Sequence, residues 1–136
     1  MIAPDASVVI AALAPWHSAH ACARNELMRD ERMLPAHVAF EVVSVLSRMP
    51  EDRRLAPSVV LESLENDYPE PWLVLAGDEH LACLRRATVA GVRGGMLYDA
   101  LIAATAKRHG ATLLSADRRA SAAYEAIGAN VSFVDS

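Results

Sequence analysis

Short apolar segments alternate along the chain with longer stretches in which apolar residues recur every three or four positions. The longer stretches have helical spacing, as with Val38, Val42 and Val45. Strands that alternate with helices, with no sequence typical of a β-hairpin, predict an α/β fold: a parallel five-stranded sheet with helices on both faces. The predicted strands are residues 2–5, 33–37, 72–76, 112–115 and 131–134.

Several local signals refine this pattern. The segment DALIAATAKRH is predicted to form a helix that starts at Asp99 and ends before Gly110, since cationic residues and a glycine favour helix C-termini. A second helical segment, DRRASAAYEAIG, ends in the same way at Gly128. Pro4 is unusual in an interior strand because it has no N–H to donate. We therefore expect a bulge there, or an unpaired start to the strand.

The composition is that of one folded domain over residues 1–136, with 53% hydrophobic and 22% charged residues. No apolar stretch approaches the roughly 18 residues that span a membrane. The beginning of the chain also lacks the basic segment of a signal peptide, so a cytoplasmic location is predicted. Cys22 and Cys83 stand singly in helical patterns and are predicted to be buried free thiols.

The charge and the known motifs limit the possible functions. The net charge of −4 argues against a general nucleic-acid-binding protein, although carboxylates gathered at one site would mask a basic groove elsewhere. The sequence has no Walker A, GxGxxG or HExxH motif and no nucleophile elbow. His17 and His20 form the only histidine pair with possible ligand spacing, and metal binding is not expected there.

Four acidic residues lie near the predicted carboxyl ends of strands, where ligands bind in parallel α/β folds. Asp5 ends the first strand, and Asp117 follows the fourth. Asp99 starts the helix that leads into that fourth strand, and Glu41 lies near the start of the helix after the second. The four carboxylates are therefore expected to share one rim of the sheet.

Simpler explanations exist for some of these residues. Asp99 and Asp117 each suit a helix N-cap, which contributes about 1 kcal/mol. Asp5 has apolar neighbours, and Glu41 borders an apolar stripe with only His37 as a local partner, so burial without a cation would be costly for both.

Carboxylates without cysteine or paired histidine form a hard-oxygen set, which suits Mg²⁺ or Mn²⁺ better than zinc. The matching chemistry is hydrolysis of a phosphodiester bond by metal-activated water. Ser7 and Ser115, each two residues from an acid, are candidates for orienting the carboxylates or holding metal-bound water. A local cap or turn hydrogen bond explains either serine equally well.

The chain resembles PIN-domain ribonucleases, and most closely the VapC-type toxins of bacterial toxin–antitoxin pairs. The matching segments contain the acids in order: DASVVIAAL, AFEVVSVLSR and YDALIAATAKRHGATLLSAD, followed by AYEAIGANV. The resemblance implies a PIN-like domain with endoribonuclease activity that depends on Mg²⁺ or Mn²⁺. It also implies a homodimer, an RNA substrate and inhibition by a cognate antitoxin.

The same resemblance assigns roles to the site residues. Asp5, Glu41 and Asp99 correspond to the acids that bind metal most directly, and Asp117 to a fourth acid that varies more within the family. Ser7 and Ser115 correspond to the hydroxyl residues of the first and last motifs. Pro4 replaces the usual apolar residue before the first acid.

Two hypotheses from other functional classes remain. A non-catalytic PIN-fold interaction module would bind a partner through its apolar helices, although such a module tends to lose some of the four acids. A phospho-signalling receiver domain would need an acidic pair after the first strand and a lysine after the fifth. The only lysine, Lys107, lies in a helix.

Overall fold

A computed structural model of the chain describes residues 1–135. These residues form seven α-helices, one short 3-10 helix and three strands, with six of the helices between the first and second strands. The strands are β1 (Ile2–Pro4), β2 (Thr112–Ser115) and β3 (Val131–Phe133), and the 3-10 helix is Arg118–Ala120. The α-helices are α1 (Ala6–Leu13), α2 (His20–Leu27), α3 (Ala36–Ser47), α4 (Pro57–Asp67), α5 (Gly77–Val89), α6 (Met96–Arg108) and α7 (Ser121–Ile127).

The sheet is parallel, in the order β1-β2-β3. Ala3 lies opposite Leu113 in one strand pair, and Leu114 lies opposite Ser132 in the other. Since the three strands run the same way, their carboxyl ends meet at one edge. The α/β class and the parallel arrangement are thus as predicted.

The prediction of five strands is wrong, because the described residues form three. The other two predicted segments, 33–37 and 72–76, form no strand. One isolated bridge joins Ile2 to Arg32, just before the first segment, and another joins Pro35 to Leu73 and so links the two segments to each other. Helix α3 begins at Ala36, immediately after the second bridge, so the chain turns into a helix before a ladder can extend.

Pro4 fits β1 because its nitrogen points away from β2. The Ile2 N–H donates to the Glu31 carbonyl, on the side of β1 opposite β2. Pro4 shares that side, because alternate strand residues point the same way. The pairing with residues 31–33 has ended by then, so no ladder bond is lost. The next residue, Asp5, donates its N–H to Leu114 of β2 at 2.9 Å.

The helix ends follow the sequence signals in part. Gly110 and Gly128 both have positive φ, 67° and 74°, as a glycine that ends a helix requires. The predicted start of α6 is wrong: the helix begins at Met96, and Asp99 lies within its first turn. Cys83 is buried as expected, whereas Cys22 is exposed, contrary to the prediction.

The core forms where α1 and α6 pack against β2. Helix α1 also contacts α2 and α3, and α6 also contacts α5 and α7, so the helices enclose the short sheet. Leu113, in the central strand, is fully buried. Within residues 1–135, no helix has the length and apolar character needed to cross a bilayer.

Replacement of Leu113 by alanine is expected to lower the free energy of unfolding by about 3 kcal/mol, because it leaves a cavity in the central strand. Urea unfolding followed by circular dichroism measures this change. Val89 is 90% exposed, so Val89→Ala serves as the control and should change stability by less than about 0.5 kcal/mol. A similar small change for Leu113→Ala would contradict this account of the core.

Candidate metal centre

Asp5 occupies the carboxyl end of β1, and its side chain is almost fully buried, at 3% exposure. The carboxylate caps helix α1, since Oδ1 accepts a hydrogen bond from the Val8 N–H at 3.2 Å. Oδ1 also accepts a hydrogen bond from the Ser7 hydroxyl. A buried carboxylate is costly without such donors, so the first turn of α1 makes this position possible.

Ser7 joins the ends of β1 and β2, and Ser115 stabilises the turn that follows β2. The Ser7 hydroxyl oxygen accepts a hydrogen bond from the Ala116 N–H at 2.9 Å, while its hydrogen is directed to Asp5. Ser115 is fully buried, and its Oγ accepts from the Asp117 N–H at 3.1 Å. Ser7 therefore fixes the position of Asp5 relative to the end of β2, and Ser115 fixes the backbone at Asp117.

Asp117 caps the 3-10 helix, as the simpler explanation predicted. Its Oδ1 accepts hydrogen bonds from the Arg119 N–H at 3.0 Å and from Arg119 Nε at 3.1 Å. The Arg119 side chain is 94% exposed, and an ion pair with so exposed a partner stabilises a protein only slightly. Asp117 is therefore free to exchange this partner for another cation.

Glu41 lies in the second turn of α3 with an unsatisfied buried atom. Its Oε1 has no hydrogen-bond partner among the described residues. His37 Nε2 is 3.6 Å away, too far for a hydrogen bond, and burial lowers the pKa of His37 and so disfavours its charged form. Burial, followed by the charges of Asp99 and Asp5, raises the pKa of Glu41 to about 7.

Asp99 faces the same region from the first turn of α6. No hydrogen bond to its side chain is found within residues 1–135, and the N-cap position belongs to Gly95, so Asp99 is not the cap. Burial raises the pKa of Asp99 to about 6, with further contributions from the charges of Asp5 and Asp117. The mutual effects on these pKa values bring all four predicted acids into one electrostatic cluster.

The cluster is not a complete metal cage. In the part of the chain that the structure describes, no three carboxylate, imidazole or thiol groups are arranged to hold an ion together. The hard-oxygen chemistry and the orphaned Glu41 Oε1 nevertheless fit a cation such as Mg²⁺, which usually keeps several of its waters and takes only one or two carboxylates directly. A cation at this position would also offset the repulsion among the carboxylates.

Tyr124 is the member of the site that the sequence did not reveal. Its hydroxyl donates to Asp5 Oδ2 at 2.6 Å, in a buried hydrogen bond between residues 119 positions apart. The only signal in the sequence is the aromatic residue in AYEAIGANV, which suits a core position equally well. His17 and His20 instead bond to backbone groups, Ala19 N–H and Ala11 C=O respectively.

The architecture is that of an α/β protein with a carboxylate-lined site at the carboxyl ends of its parallel strands. The chain belongs to the PIN domain family, whose model matches residues 2–126. This match confirms the resemblance drawn from the four acidic motifs.

Two named relatives are similar over nearly the whole chain. Ribonuclease VapC40 of Mycobacterium tuberculosis is 39% identical over 134 residues, which cover 98% of this chain and 99% of that protein. Ribonuclease VapC27 of the same species is 38% identical over 131 residues, or 96% and 94% of the two chains.

Solved structures agree with the fold. FitAcB from Neisseria gonorrhoeae has a TM-score of 0.67 at 21% identity and covers 96% of both chains. VapC20 from M. tuberculosis, described as a toxin that cleaves the sarcin-ricin loop, has a TM-score of 0.71 at 19% identity and covers 90% of this chain and 95% of its own. At such low identity these likenesses bear on the fold alone.

Replacement of Glu41 by glutamine is expected to stabilise the metal-free protein at alkaline pH. Because the folded state raises the pKa of Glu41 from 4.5 to about 7, its stabilising contribution is complete below pH 4.5 and is lost as the pH rises through 7. At pH 8 in EDTA, Glu41→Gln should therefore unfold with a free energy about 1 to 2 kcal/mol higher than the wild type, after allowance for solvent screening.

Urea unfolding at pH 4 and pH 8 tests this expectation. The difference between wild type and Glu41→Gln should largely disappear at pH 4. Glu65 is exposed on α4, so Glu65→Gln is the matched control and should have little effect at pH 8. A Glu41→Gln protein that is less stable than wild type at pH 8 would show that the carboxylate is not under electrostatic strain.

Proposed function

We propose that this protein is a divalent-metal-dependent endoribonuclease and the toxin of a toxin–antitoxin pair. The observation that carries the proposal is the cluster of partly or fully buried carboxylates with an unsatisfied Glu41 Oε1. The cluster occurs in a chain that is similar over its whole length to proteins named as ribonucleases. Ribonucleases of this type generally depend on a divalent metal ion.

Asp5, Glu41, Asp99 and Asp117 are the residues we propose to hold the metal. We favour Mg²⁺, with Mn²⁺ as the alternative, because oxygen ligands suit these hard cations. Burial and the neighbouring carboxylates raise the pKa values of Glu41 and Asp99, and a positive charge at that point would favour the ionised form of both groups, which supports this assignment. Ser7 and Ser115 are proposed to support the site by fixing the acids to which they are bonded.

The proposed reaction is hydrolysis of an RNA phosphodiester bond. When bound, the metal would activate a water molecule and stabilise negative charge on the phosphate oxygens. The oxygen of water forms a bond to phosphorus, and the bond from phosphorus to the leaving ribose oxygen breaks. Asp5 presents its carboxylate from the end of β1, Glu41 from the second turn of α3 and Asp99 from the first turn of α6, so the reacting phosphate would lie over the edge of the sheet.

The proposed partners follow from the same assignment. VapC toxins pair with antitoxins, and we expect a cognate antitoxin and a homodimer here. We also expect the protein to work as one PIN-like domain over residues 1–136. It would act in the cytoplasm, where RNA is available to it.

The decisive experiment incubates antitoxin-free protein with total RNA and Mg²⁺ or Mn²⁺. We expect cleavage at a few discrete sites, and loss of that cleavage with EDTA or in Asp99→Asn, because the variant removes the negative charge of one of the proposed ligands. Cleavage is read on gels, and the cut ends are mapped by sequencing. A reduction of at least about 100-fold is expected for the variant, in line with the loss of a group that acts in the transition state.

Asp78→Asn is the matched control, since Asp78 is an exposed aspartate in the first turn of a different helix, α5. It should cleave like the wild type. Cleavage that persists in Asp99→Asn would indicate a contaminating nuclease. A wild-type protein that neither cleaves RNA nor gains thermal stability from Mg²⁺ or Mn²⁺ would contradict the proposal and favour a non-catalytic interaction module.

A further inference from the structure

Tyr124 is a fully enclosed tyrosine whose hydroxyl has a specific polar partner. The side chain is 1% exposed, and its hydroxyl donates to Asp5 Oδ2 at 2.6 Å. A phenylalanine would fill the same space without a buried hydroxyl to satisfy, so packing alone does not require a tyrosine here. The function of the Tyr124 hydroxyl must therefore lie in its hydrogen bond to Asp5.

The hydrogen bonds to Asp5 leave a limited set of lone pairs for another ligand. Each carboxylate oxygen has two lone pairs. The Ser7 hydroxyl and the Val8 N–H together occupy those of Oδ1. Tyr124 occupies one on Oδ2, so a single lone pair on Oδ2 remains available.

The same contacts fix the orientation of the carboxylate. Ser7 and Val8 both belong to α1, on one side of Asp5, whereas Tyr124 approaches from α7. Donors on both oxygens, from two different helices, prevent the group from rotating about its Cβ–Cγ bond. Without Tyr124, Oδ2 would have no protein donor among the described residues, and only Oδ1 would be held.

We propose that Tyr124 is a positioning residue that holds Asp5 Oδ2 toward the carboxylate cluster with one lone pair free for a divalent cation. The proposal rests on the metal-dependent function proposed above and adds a residue from α7 to that site. Hydrogen bonds from neighbouring groups are known to orient metal-binding side chains, and their loss lowers metal affinity about 10- to 100-fold.

The test compares Mn²⁺ binding by wild type and Tyr124→Phe in the absence of RNA. The full-length, antitoxin-free protein is stripped with EDTA and titrated with Mn²⁺, and the free ion is followed by electron paramagnetic resonance. Tyr124→Phe should raise the Kd for Mn²⁺ about tenfold or more. In a second assay, RNA is cleaved at a Mn²⁺ concentration that saturates the wild type. There kcat of Tyr124→Phe should fall while its KM for RNA stays the same, because Tyr124 is buried and does not contact the substrate.

Tyr68→Phe is the matched control. Tyr68 is also a buried tyrosine, at 3% exposure, but it ends α4 and contacts Arg32 instead of the carboxylate cluster. Its variant loses a hydroxyl from a buried ring and should keep the wild-type Kd for Mn²⁺. Circular dichroism and urea unfolding of both variants establish that each is folded under the titration conditions.

The outcomes separate the two proposals. If wild type binds Mn²⁺ and folded Tyr124→Phe binds it with the same Kd, the positioning role is overturned while the metal-dependent function stands. If Tyr68→Phe weakens Mn²⁺ binding as much as Tyr124→Phe does, the effect is a general one of core hydroxyls, which also overturns it. A wild type that binds no Mn²⁺ overturns both.

Discussion

The burial of several carboxylates close together is the constraint that the rest of this structure must accommodate. The parallel strands end at one edge of the sheet. Asp5 directly follows β1 and Asp117 lies two residues after β2, while Glu41 and Asp99 belong to the neighbouring helices α3 and α6. Burial and like charge both raise the pKa of a carboxyl group, and here they act on Glu41 and Asp99 together. Such a cluster opposes folding at neutral pH unless a cation binds to it.

The four acids differ in the groups that stabilise their negative charges. Asp5, the most buried, is surrounded by donors from α1 and α7. Asp117 has an exposed arginine beside it. Glu41 and Asp99 lack comparable hydrogen bonds among the described residues, and burial together with neighbouring negative charges raises the pKa of both. The site is thus rigid at the end of β1 and under electrostatic strain where α3 and α6 approach it.

The sequence was sufficient to predict the parallel α/β class and the family, because strand and helix alternate and the acids lie at fixed places in that alternation. It was insufficient for the outer strands, since residues 33–37 look like a strand until Pro35 and Ala36 turn the chain into α3. It also misplaced the start of α6, because Asp99 resembles an N-cap while the helix begins at Met96. Tyr124 could not be foreseen, because no local pattern links a core aromatic residue to an acid 119 positions earlier.

The bond between Asp5 and Tyr124 has a consequence for the order in which the molecule is made. Strand β1 pairs with β2, and Asp5 accepts a hydrogen bond from Tyr124 of α7. The ribosome synthesises both of these partners, β2 and α7, long after β1 and Asp5. A nascent chain that is still attached to the ribosome and lacks these segments has neither the central strand nor the finished carboxylate. Translation itself therefore delays the assembly of the site until the residues through the end of α7, at Ile127, have been made.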